Sequence, residues 1–255
     1  MSAAPDNFAL ETRSLCKSFG ALTVADDIDF RLESGARHAL IGPNGAGKTT
    51  FVNMLTGVLA PSSGRIMLGG EDVTTVAQAA RVKRGLGRTF QINALFRQLS
   101  VLDNVALAVA ERRGVALRMW RAASAHFDVR DESLELLATL GLADDAGQRI
   151  LDLPYGKQRL VEIAIALGLK PKVLLLDEPA AGVPSLESGR ILDVLDNLPR
   201  DIAILIIEHD MDLVFRFAQR ITVLVQGEVL VEGTPEEIGK DRRVHQVYLG
   251  EQRHV

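Results

Sequence analysis

The stretch of sequence that decides the fold is Gly42-Pro43-Asn44-Gly45-Ala46-Gly47-Lys48-Thr49. It fits the phosphate-loop pattern, in which a glycine and four further residues precede a second glycine, a lysine and a serine or threonine. Glycines allow successive backbone N–H groups to curve around phosphate oxygens, and the helix that follows directs its positive end at them. Lys48 suits the outer phosphates, and the Thr49 hydroxyl suits Mg²⁺.

The residues on either side of this loop support the same interpretation. Residues 37–41 have the composition of a strand, and residues 48–58 have that of a helix that ends near Gly57. A phosphate loop lies between a strand and a helix, and this segment does so too. A glycine turn that contains a lysine by chance would not require a strand before it and a helix after it.

Two carboxylates, Asp177 and Glu178, follow the apolar run 173–176. A buried strand would place both at the carboxyl edge of a parallel sheet, where ligands of open α/β sheets bind. Asp177 then suits the Mg²⁺ shell, and Glu178 suits the orientation and polarisation of an attacking water. Without the phosphate loop, acidic residues that merely end a strand before a proline turn would explain the pair equally well.

His209 follows a second apolar run, 202–207, and one glutamate. A lone histidine is more often a satisfied surface or core residue. Its place at the end of a neighbouring strand instead favours a hydrogen bond to a terminal phosphate and a part in fixing the attacking water.

The composition excludes several classes of protein. With 255 residues, 47% of them hydrophobic, the chain is expected to fold around a sizeable core rather than to be disordered or collagen-like. The net charge of −4 provides no field that would attract nucleic acid. The single cysteine, Cys16, cannot form a disulfide within the chain, so a reducing cytosol is the expected compartment.

Membrane insertion and secretion are not expected either. The longest apolar runs are far shorter than the ~20 residues that cross a bilayer, and they are predicted to be buried strands. Residues 1–7 lack the basic start and apolar segment of a cleaved signal.

The rest of the chain divides by its patterns. Between residues 95 and 169 the pattern is helical: Ser100 and Asp103 are typical of a helix cap, and Val101, Val105 and Val109 follow at four-residue spacing. After residue 173 short apolar strands alternate with helices, which predicts a parallel sheet, and residues 221–231 predict a hairpin.

Taken together, these motifs resemble the ATP-binding cassette (ABC) ATPases over nearly the whole chain. The resemblance implies an α/β fold of the P-loop NTPase type, with a mostly parallel core sheet, an antiparallel β-subdomain and an inserted helical subdomain. It implies one domain over residues 1–255, with the core at 1–91 and 169–255 and the helical subdomain at about 92–168.

The resemblance also implies a set of site residues. Gln91, in Arg88-Thr89-Phe90-Gln91, looks like the glutamine that contacts Mg²⁺ and links the nucleotide site to a transmembrane partner. Phe19 resembles the aromatic residue that stacks on adenine, with a buried core phenylalanine as the alternative. The implied catalytic residues are Lys48, Gln91, Glu178 and His209, and the implied metal ligands are Thr49, Gln91 and Asp177. The implied nucleotide-binding residues are Phe19, Gly42, Pro43, Asn44, Gly45, Ala46, Gly47, Lys48, Thr49 and Thr50.

The segment Leu153–Arg159 departs from the family's usual signature, Leu-Ser-Gly-Gly-Gln, whose serine and glycine contact ATP held by the opposite subunit. Pro154 stands at the serine position and offers neither a hydroxyl nor an N–H. Tyr155, Gly156 and Lys157 are the residues expected to face the opposite ATP, and the charge of Lys157 is expected to offset the loss. A regulatory subunit with little hydrolysis is the alternative that Pro154 suggests.

Several segments look like the branched-chain amino-acid importers within this family, namely 88–91, Tyr155-Gly156, Ala180-Ala181-Gly182 and Val247-Tyr248-Leu249-Gly250. That resemblance implies ATP and Mg²⁺ as cofactors, transmembrane permease subunits, and a second ATPase subunit that is identical or related. It also implies a periplasmic or extracellular solute-binding protein as an indirect partner, no nucleic acid, and a place on the cytoplasmic face of the membrane.

Two other functions and one segment stay open on the sequence. An exporter ATPase for lipid or polysaccharide would share every nucleotide residue. A soluble cassette protein acting on DNA or ribosomes is disfavoured by the net negative charge and by the lack of a coiled-coil insertion. The Arg- and Trp-containing segment 112–127 suits either a solvated helix or a contact with lipid headgroups or a partner.

Overall fold

The computed structural model of the chain describes residues 8–89, 95–115 and 123–251. The strands in these ranges are β1 (Phe8–Phe19), β2 (Leu22–Glu33), β3 (Arg37–Ile41), β4 (Ser63–Leu68), β5 (Glu71–Asp72), β6 (Leu86–Arg88), β7 (Val173–Asp177), β8 (Ala203–Ile207), β9 (Arg220–Val225) and β10 (Glu228–Gly233). The helices are α1 (Lys48–Thr56), α2 (Gln78–Lys83), α3 (Val101–Arg112), α4 (Ala123–Thr139), α5 (Tyr155–Gly168), α6 (Ser185–Asp196), α7 (Met211–Phe217), α8 (Pro235–Lys240) and α9 (Arg242–Glu251).

Two sheets organise these elements. The larger sheet has the strand order β10-β9-β3-β8-β7-β6, in which all neighbours are parallel except the hairpin partner β10. The smaller sheet, β2-β1-β4-β5, is antiparallel throughout. This arrangement confirms the predicted α/β fold, the mostly parallel core sheet, the antiparallel sheet and the hairpin.

The central strands are buried on both faces. Every residue of β3, β7 and β8 is buried, and their side chains alternate between two cores. Leu174 and Leu176 pack in the core that includes residues of α3, α5 and α6, whereas Leu175 packs in the core that includes α1 and the antiparallel sheet. Strands covered on both sides need apolar residues at every position, which is why 173–176 and 202–207 are unbroken apolar runs.

Helix α1 lies between the two sheets and begins at the end of the phosphate loop. Phe51 on α1 meets Phe30 of β2 edge to face, with 5.6 Å between the ring centroids. At the other end of α1, the buried Arg81 guanidinium donates hydrogen bonds to the carbonyls of Met54 and Leu55. A positive charge at the carboxyl end of a helix complements the helix dipole. Arg81 therefore anchors the helix that carries the phosphate loop.

The helices α3, α4 and α5 pack against one another in the stretch predicted to be helical. Ser100 accepts a hydrogen bond from the N–H of Asp103, which confirms the predicted cap of α3. Hydrogen bonds from Lys170, Arg113 and Arg112 outweigh the effect of burial and lower the pKa of Glu132 to about 2. Arg112 and Arg113 thus form ion pairs with Glu132 within the chain. Residues 116–122 of the Arg- and Trp-containing segment lie outside the described residues, and the division into subdomains stays a prediction.

Substitution of Arg81 by methionine should destabilise the fold. The guanidinium also donates to the carbonyls of Thr74 and Val76, so four backbone carbonyls would each lose one hydrogen bond. We expect the free energy of unfolding, measured by urea denaturation, to fall by about 3 kcal/mol or more.

Arg84→Met is the matched control, because Arg84 is partly exposed and pairs with Glu71 on the surface. Its effect should stay within about 1 kcal/mol. An Arg81→Met effect no larger than that of the control would contradict the anchoring role.

Candidate functional site

The phosphate loop joins β3 to α1 and is built around Gly47. Gly47 stands at the N-cap of α1 with φ of 98°, and a Cβ atom there would lie 2.7 Å from the carbonyl oxygen of Val24. Both the left-handed backbone and the close approach require glycine. The loop therefore brings the N-terminus of α1, the positive end of the helix, to the end of β3.

Lys48 lies over this loop. Its Nζ donates hydrogen bonds to the carbonyl oxygens of Gly42 and Pro43 at 2.5 and 2.9 Å. Thr49 is exposed beside it, and Thr50 is half-buried. The ammonium and the Thr49 hydroxyl thus stand at the mouth of the loop, where an incoming phosphate group would meet them.

Asp177 and Glu178 lie at the end of β7, next to β8. In the sheet register Asp177 is paired with Ile207, and Ile207 is paired with Leu40 of β3. The two carboxylates and the phosphate loop therefore occupy the same edge of the sheet, as predicted from their places after buried strands.

Glu178 adopts a left-handed backbone, with φ of 46°, and its N–H donates to the carbonyl of Ile207 at 2.9 Å. A non-glycine residue in this region carries a conformational cost that clusters at functional sites. The side chain of Glu178 is partly exposed, whereas that of Asp177 is buried. The turn thus directs one carboxylate outward and keeps the other inside.

His209 lies beside Glu178 at the end of β8. Its Nδ1 is 3.7 Å from Oε1 of Glu178 and 3.8 Å from Oε2 of Glu208, and its ring is largely exposed. The structure therefore brings together Lys48, Asp177, Glu178 and His209 at the ends of three neighbouring strands. Gln91 lies outside the described residues.

Glu208 is a residue of this site that the sequence patterns did not single out. Its buried carboxylate accepts hydrogen bonds from the backbone N–H of Ala180 at 3.2 Å and of His209 at 3.3 Å. Burial raises the pKa of Glu208, and the two backbone N–H groups partly counteract it. The carboxylate ties the loop after Glu178 to the loop of His209. The sequence feature that could have identified Glu208 is its charge directly after the apolar run 202–207.

Arg88 is a second residue whose role was not predicted. It ends β6, and its guanidinium donates to Oδ2 of Asp177 at 3.0 Å and to Oδ1 of Asn53 at 2.8 Å. The sequence placed Arg88 only in the segment that leads to Gln91, because neither partner is near it along the chain.

Phe19 stands at the turn between β1 and β2. It is 51% exposed, which rules out the alternative of a core phenylalanine. The Nζ of Lys17 lies 4.9 Å from the centroid of the Phe19 ring. An exposed ring at a hairpin tip is suited to stacking on a flat ligand.

The segment expected to face an opposite subunit begins α5. Pro154 is the N-cap residue and makes no side-chain hydrogen bond there. The next residue, Tyr155, is half-exposed and packs against the loop after β7, where a Cβ atom on Gly182 would lie 3.2 Å from its ring. The Arg159 guanidinium lies 5.2 Å from the centroid of the Tyr155 ring.

Lys157 behaves differently from the expectation. Its Nζ lies 2.8 and 2.7 Å from the two carboxylate oxygens of the buried Asp145. The charge of Lys157 is therefore compensated within the chain, and the expected electrostatic offset for Pro154 does not follow from it. Asp145 was not identifiable as the partner from the sequence, since the two residues are twelve positions apart along the chain.

The donors at this edge of the sheet suit Mg²⁺ in the company of a phosphate ligand. Thr49 offers a hydroxyl and Asp177 a carboxylate, the oxygen donors that Mg²⁺ prefers. Among the residues that the structure describes, no three histidine, cysteine, aspartate or glutamate side chains come together as a self-sufficient metal site. The protein oxygens present thus fit an ion that takes its other ligands from phosphate and water.

Within the described ranges, no helix combines the length and the apolar character that crossing a membrane requires.

Comparisons with known proteins agree with this site. The sequence pattern of the family described as ABC transporter matches residues 25–181, and that described as branched-chain amino acid ATP-binding cassette transporter matches residues 228–254. The high-affinity branched-chain amino acid transport ATP-binding protein LivG of Escherichia coli is 35% identical over 249 residues, which cover 95% of this chain and 98% of LivG. The lipopolysaccharide export system ATP-binding protein LptB of the same organism is also 35% identical, over 95% of this chain and 97% of LptB.

A solved structure gives the same result for the fold. The crystal structure of the ADP conformation of MJ1267, an ATP-binding cassette of an ABC transporter, superposes with a TM-score of 0.83. The two chains are 28% identical, and the match covers 95% of this chain and 99% of MJ1267. The fold, the extent of the sequence matches and the phosphate-loop site lead to one conclusion: this chain belongs to the ABC transporter family and carries that family's ATPase cassette.

Proposed function

We propose that this chain is the ATP-binding and ATP-hydrolysing subunit of an ABC importer for branched-chain amino acids or related small polar solutes. The observation that carries the ATPase role is the meeting of Lys48, Asp177, Glu178 and His209 at one edge of the sheet. The importer role is supported by the match of residues 228–254 to the branched-chain amino acid type.

In the proposed reaction, the N-terminus of α1 and Lys48 bind the outer phosphates of ATP and compensate their charge. Thr49 and Asp177, with Gln91 as predicted, hold Mg²⁺, which supplies neutralisation of the phosphate charge. Glu178 orients and polarises the attacking water, and His209 donates a hydrogen bond to the γ-phosphate. Phe19 stacks on the adenine ring, and the backbone of residues 42–50 surrounds the phosphates.

The working unit in this proposal contains two ATPase subunits, identical or related, that hold ATP between them. Tyr155, Gly156 and Lys157 of each subunit face the phosphate loop of the other. ATP binding favours the closed pair, and hydrolysis removes that bias. Permease subunits dock near Gln91 and carry the motion across the membrane, so the chain acts on its cytoplasmic face. A solute-binding protein on the other side of the membrane supplies the solute.

An exporter ATPase is the second candidate, because LptB and LivG are equally identical to this chain at 35%. The nucleotide site cannot distinguish the two. The C-terminal match at residues 228–254 favours the importer. The net charge of −4 continues to disfavour a nucleic-acid function.

Glu178→Gln is the first test of the ATPase role. The amide cannot accept a proton, so we expect steady-state ATP turnover to fall by at least about 100-fold. Equilibrium binding of ATP, measured with a fluorescent analogue, should stay within about twofold, because Lys48 and the loop are unchanged.

Glu236→Gln, on an exposed side chain of α8 that pairs with Lys240, serves as the control. It should leave turnover unchanged. Wild-type turnover in Glu178→Gln would exclude the assigned role of Glu178.

A second prediction concerns Pro154. If the missing serine weakens the site between subunits, Pro154→Ser should raise ATP turnover of the assembled complex, by up to about tenfold for one hydrogen bond to a charged phosphate. Pro199→Ser, in an exposed turn at the opposite end of β8, is the control. No change, or a fall, in Pro154→Ser would mean that the site works through other contacts.

Transport itself can be measured with the membrane complex that co-purifies with a tagged form of this chain. Vesicles that contain it should accumulate leucine, isoleucine or valine only when ATP is supplied on the side of this chain. The same vesicles with Glu178→Gln should not. Active ATP turnover without uptake of any of these three would reject branched-chain amino acids as the solutes while leaving the ATPase role intact.

A further inference from the structure

The buried guanidinium of Arg88 connects three parts of the nucleotide site. One terminal nitrogen donates to Oδ2 of Asp177 at 3.0 Å, and the other donates to Oδ1 of Asn53 at 2.8 Å. The side chains of Arg88 and Asp177 are only 12% and 6% exposed. This pair is therefore shielded from water, unlike the surface ion pairs of the chain.

The elements that carry the three residues are those that hold the predicted magnesium ligands. Asn53 lies on α1, four residues after Thr49, so the two side chains share one face of the helix. Asp177 ends β7. Arg88 ends β6, and the N–H of Thr89 continues the pairing by donating to the carbonyl of Leu175 at 3.0 Å. The backbone is thus held as far as Thr89, two residues before Gln91.

The shape of the side chain matters as much as its charge. A guanidinium is a planar fork whose two ends reach separate acceptors, whereas the ammonium of lysine is a single point. In Arg88 two different nitrogens of the fork bond to Asp177 and to Asn53 at once. It occupies Oδ2 of Asp177 and so restrains the rotation of that carboxylate.

We infer that Arg88 is a positioning residue for the magnesium site, which holds the Asp177 carboxylate at a set distance from α1 and thereby from Thr49. This inference rests on the proposed function, since it concerns the ion that accompanies ATP. Side chains that hydrogen-bond to a metal ligand contribute about 10- to 100-fold to metal affinity or activity. The positive charge of Arg88 opposes a nearby cation, so a test has to separate geometry from charge.

Arg88→Lys makes that separation, because it keeps the charge and removes the fork. The measurement is equilibrium binding of a fluorescent ATP analogue to the purified chain, first in EDTA and then during titration with Mg²⁺. We expect binding in EDTA within about twofold of wild type, since Lys48 and the loop are untouched. The Mg²⁺ concentration that gives the half-maximal change should rise by about tenfold.

Asn53→Ala tests the same bridge from its other end. It leaves the Arg88–Asp177 pair and the charge in place but frees the guanidinium from α1. We expect a rise in the Mg²⁺ requirement in the same direction and smaller than that of Arg88→Lys. Arg200→Lys, at an exposed ion pair with Asp196, is the matched control and should leave both measurements unchanged. Thermal unfolding of each variant verifies that it is folded.

The outcomes are distinguishable. An unchanged Mg²⁺ requirement in folded Arg88→Lys and Asn53→Ala would overturn the inference. A lower requirement would overturn it as well, because both variants keep the positive charge and the bridge would then hinder the binding of Mg²⁺. Equal losses in EDTA and in Mg²⁺ would also overturn it, because Arg88 would then support the phosphate site as a whole. Failure of the wild-type chain to bind the nucleotide would overturn the proposed function itself, whereas normal wild-type binding with unaffected variants would remove only the role of Arg88.

Discussion

The parallel register of β3, β8 and β7 is the constraint on which the site depends. Leu40, Ile207 and Asp177 lie at one level across these strands, so the segments that follow them leave the sheet side by side. Parallel strands that are buried on both faces cannot slip without moving apolar side chains between the two cores. The register that packs the cores therefore also sets the spacing between the phosphate loop, the paired carboxylates and His209.

Charged side chains inside the fold hold the loops that leave this sheet. Arg81 binds carbonyls at the end of α1, Arg88 binds Asp177 and Asn53, and Glu208 accepts N–H groups from two neighbouring loops. A buried charge is costly unless its hydrogen bonds are made, so each of these contacts favours one arrangement of the backbone over others. Arg88 and Glu208 hold segments that contact nucleotide in the proposed reaction, and Arg81 holds the helix that follows the phosphate loop.

The loop after β7 connects that edge of the sheet to the helical part of the chain. Ala180 donates to Glu208, and Gly182 lies against the ring of Tyr155 at the start of α5. The residues proposed to face the opposite subunit thus rest on the loop that follows Glu178. A displacement of α5 would therefore move this loop. The loop connects the two parts of the proposed composite site, the segment at the start of α5 and the carboxylates at the end of β7.

Much of the fold and most of the site could be predicted from local patterns. The phosphate loop, the strands before Asp177 and His209, and the Ser100 cap depend on residues that are neighbours along the chain, and the structure confirms these elements. The order of strands in the sheets could not be read in the same way, since it depends on pairings between distant segments. The loss of the expected role for the Lys157 charge has the same cause, because its partner Asp145 is brought to it by the turn between α4 and α5.

The sequence by itself determined the kind of chemistry, because a glycine-rich loop, a lysine and carboxylates after apolar strands carry their function in their residue types and spacing. Only the tertiary structure decided which buried groups hold those residues in place. Arg88 and Asp177 are 89 residues apart, and Glu208 and Ala180 are 28 residues apart. No local pattern marks such pairs, since their contact exists only after the sheet has brought the ends of its strands together.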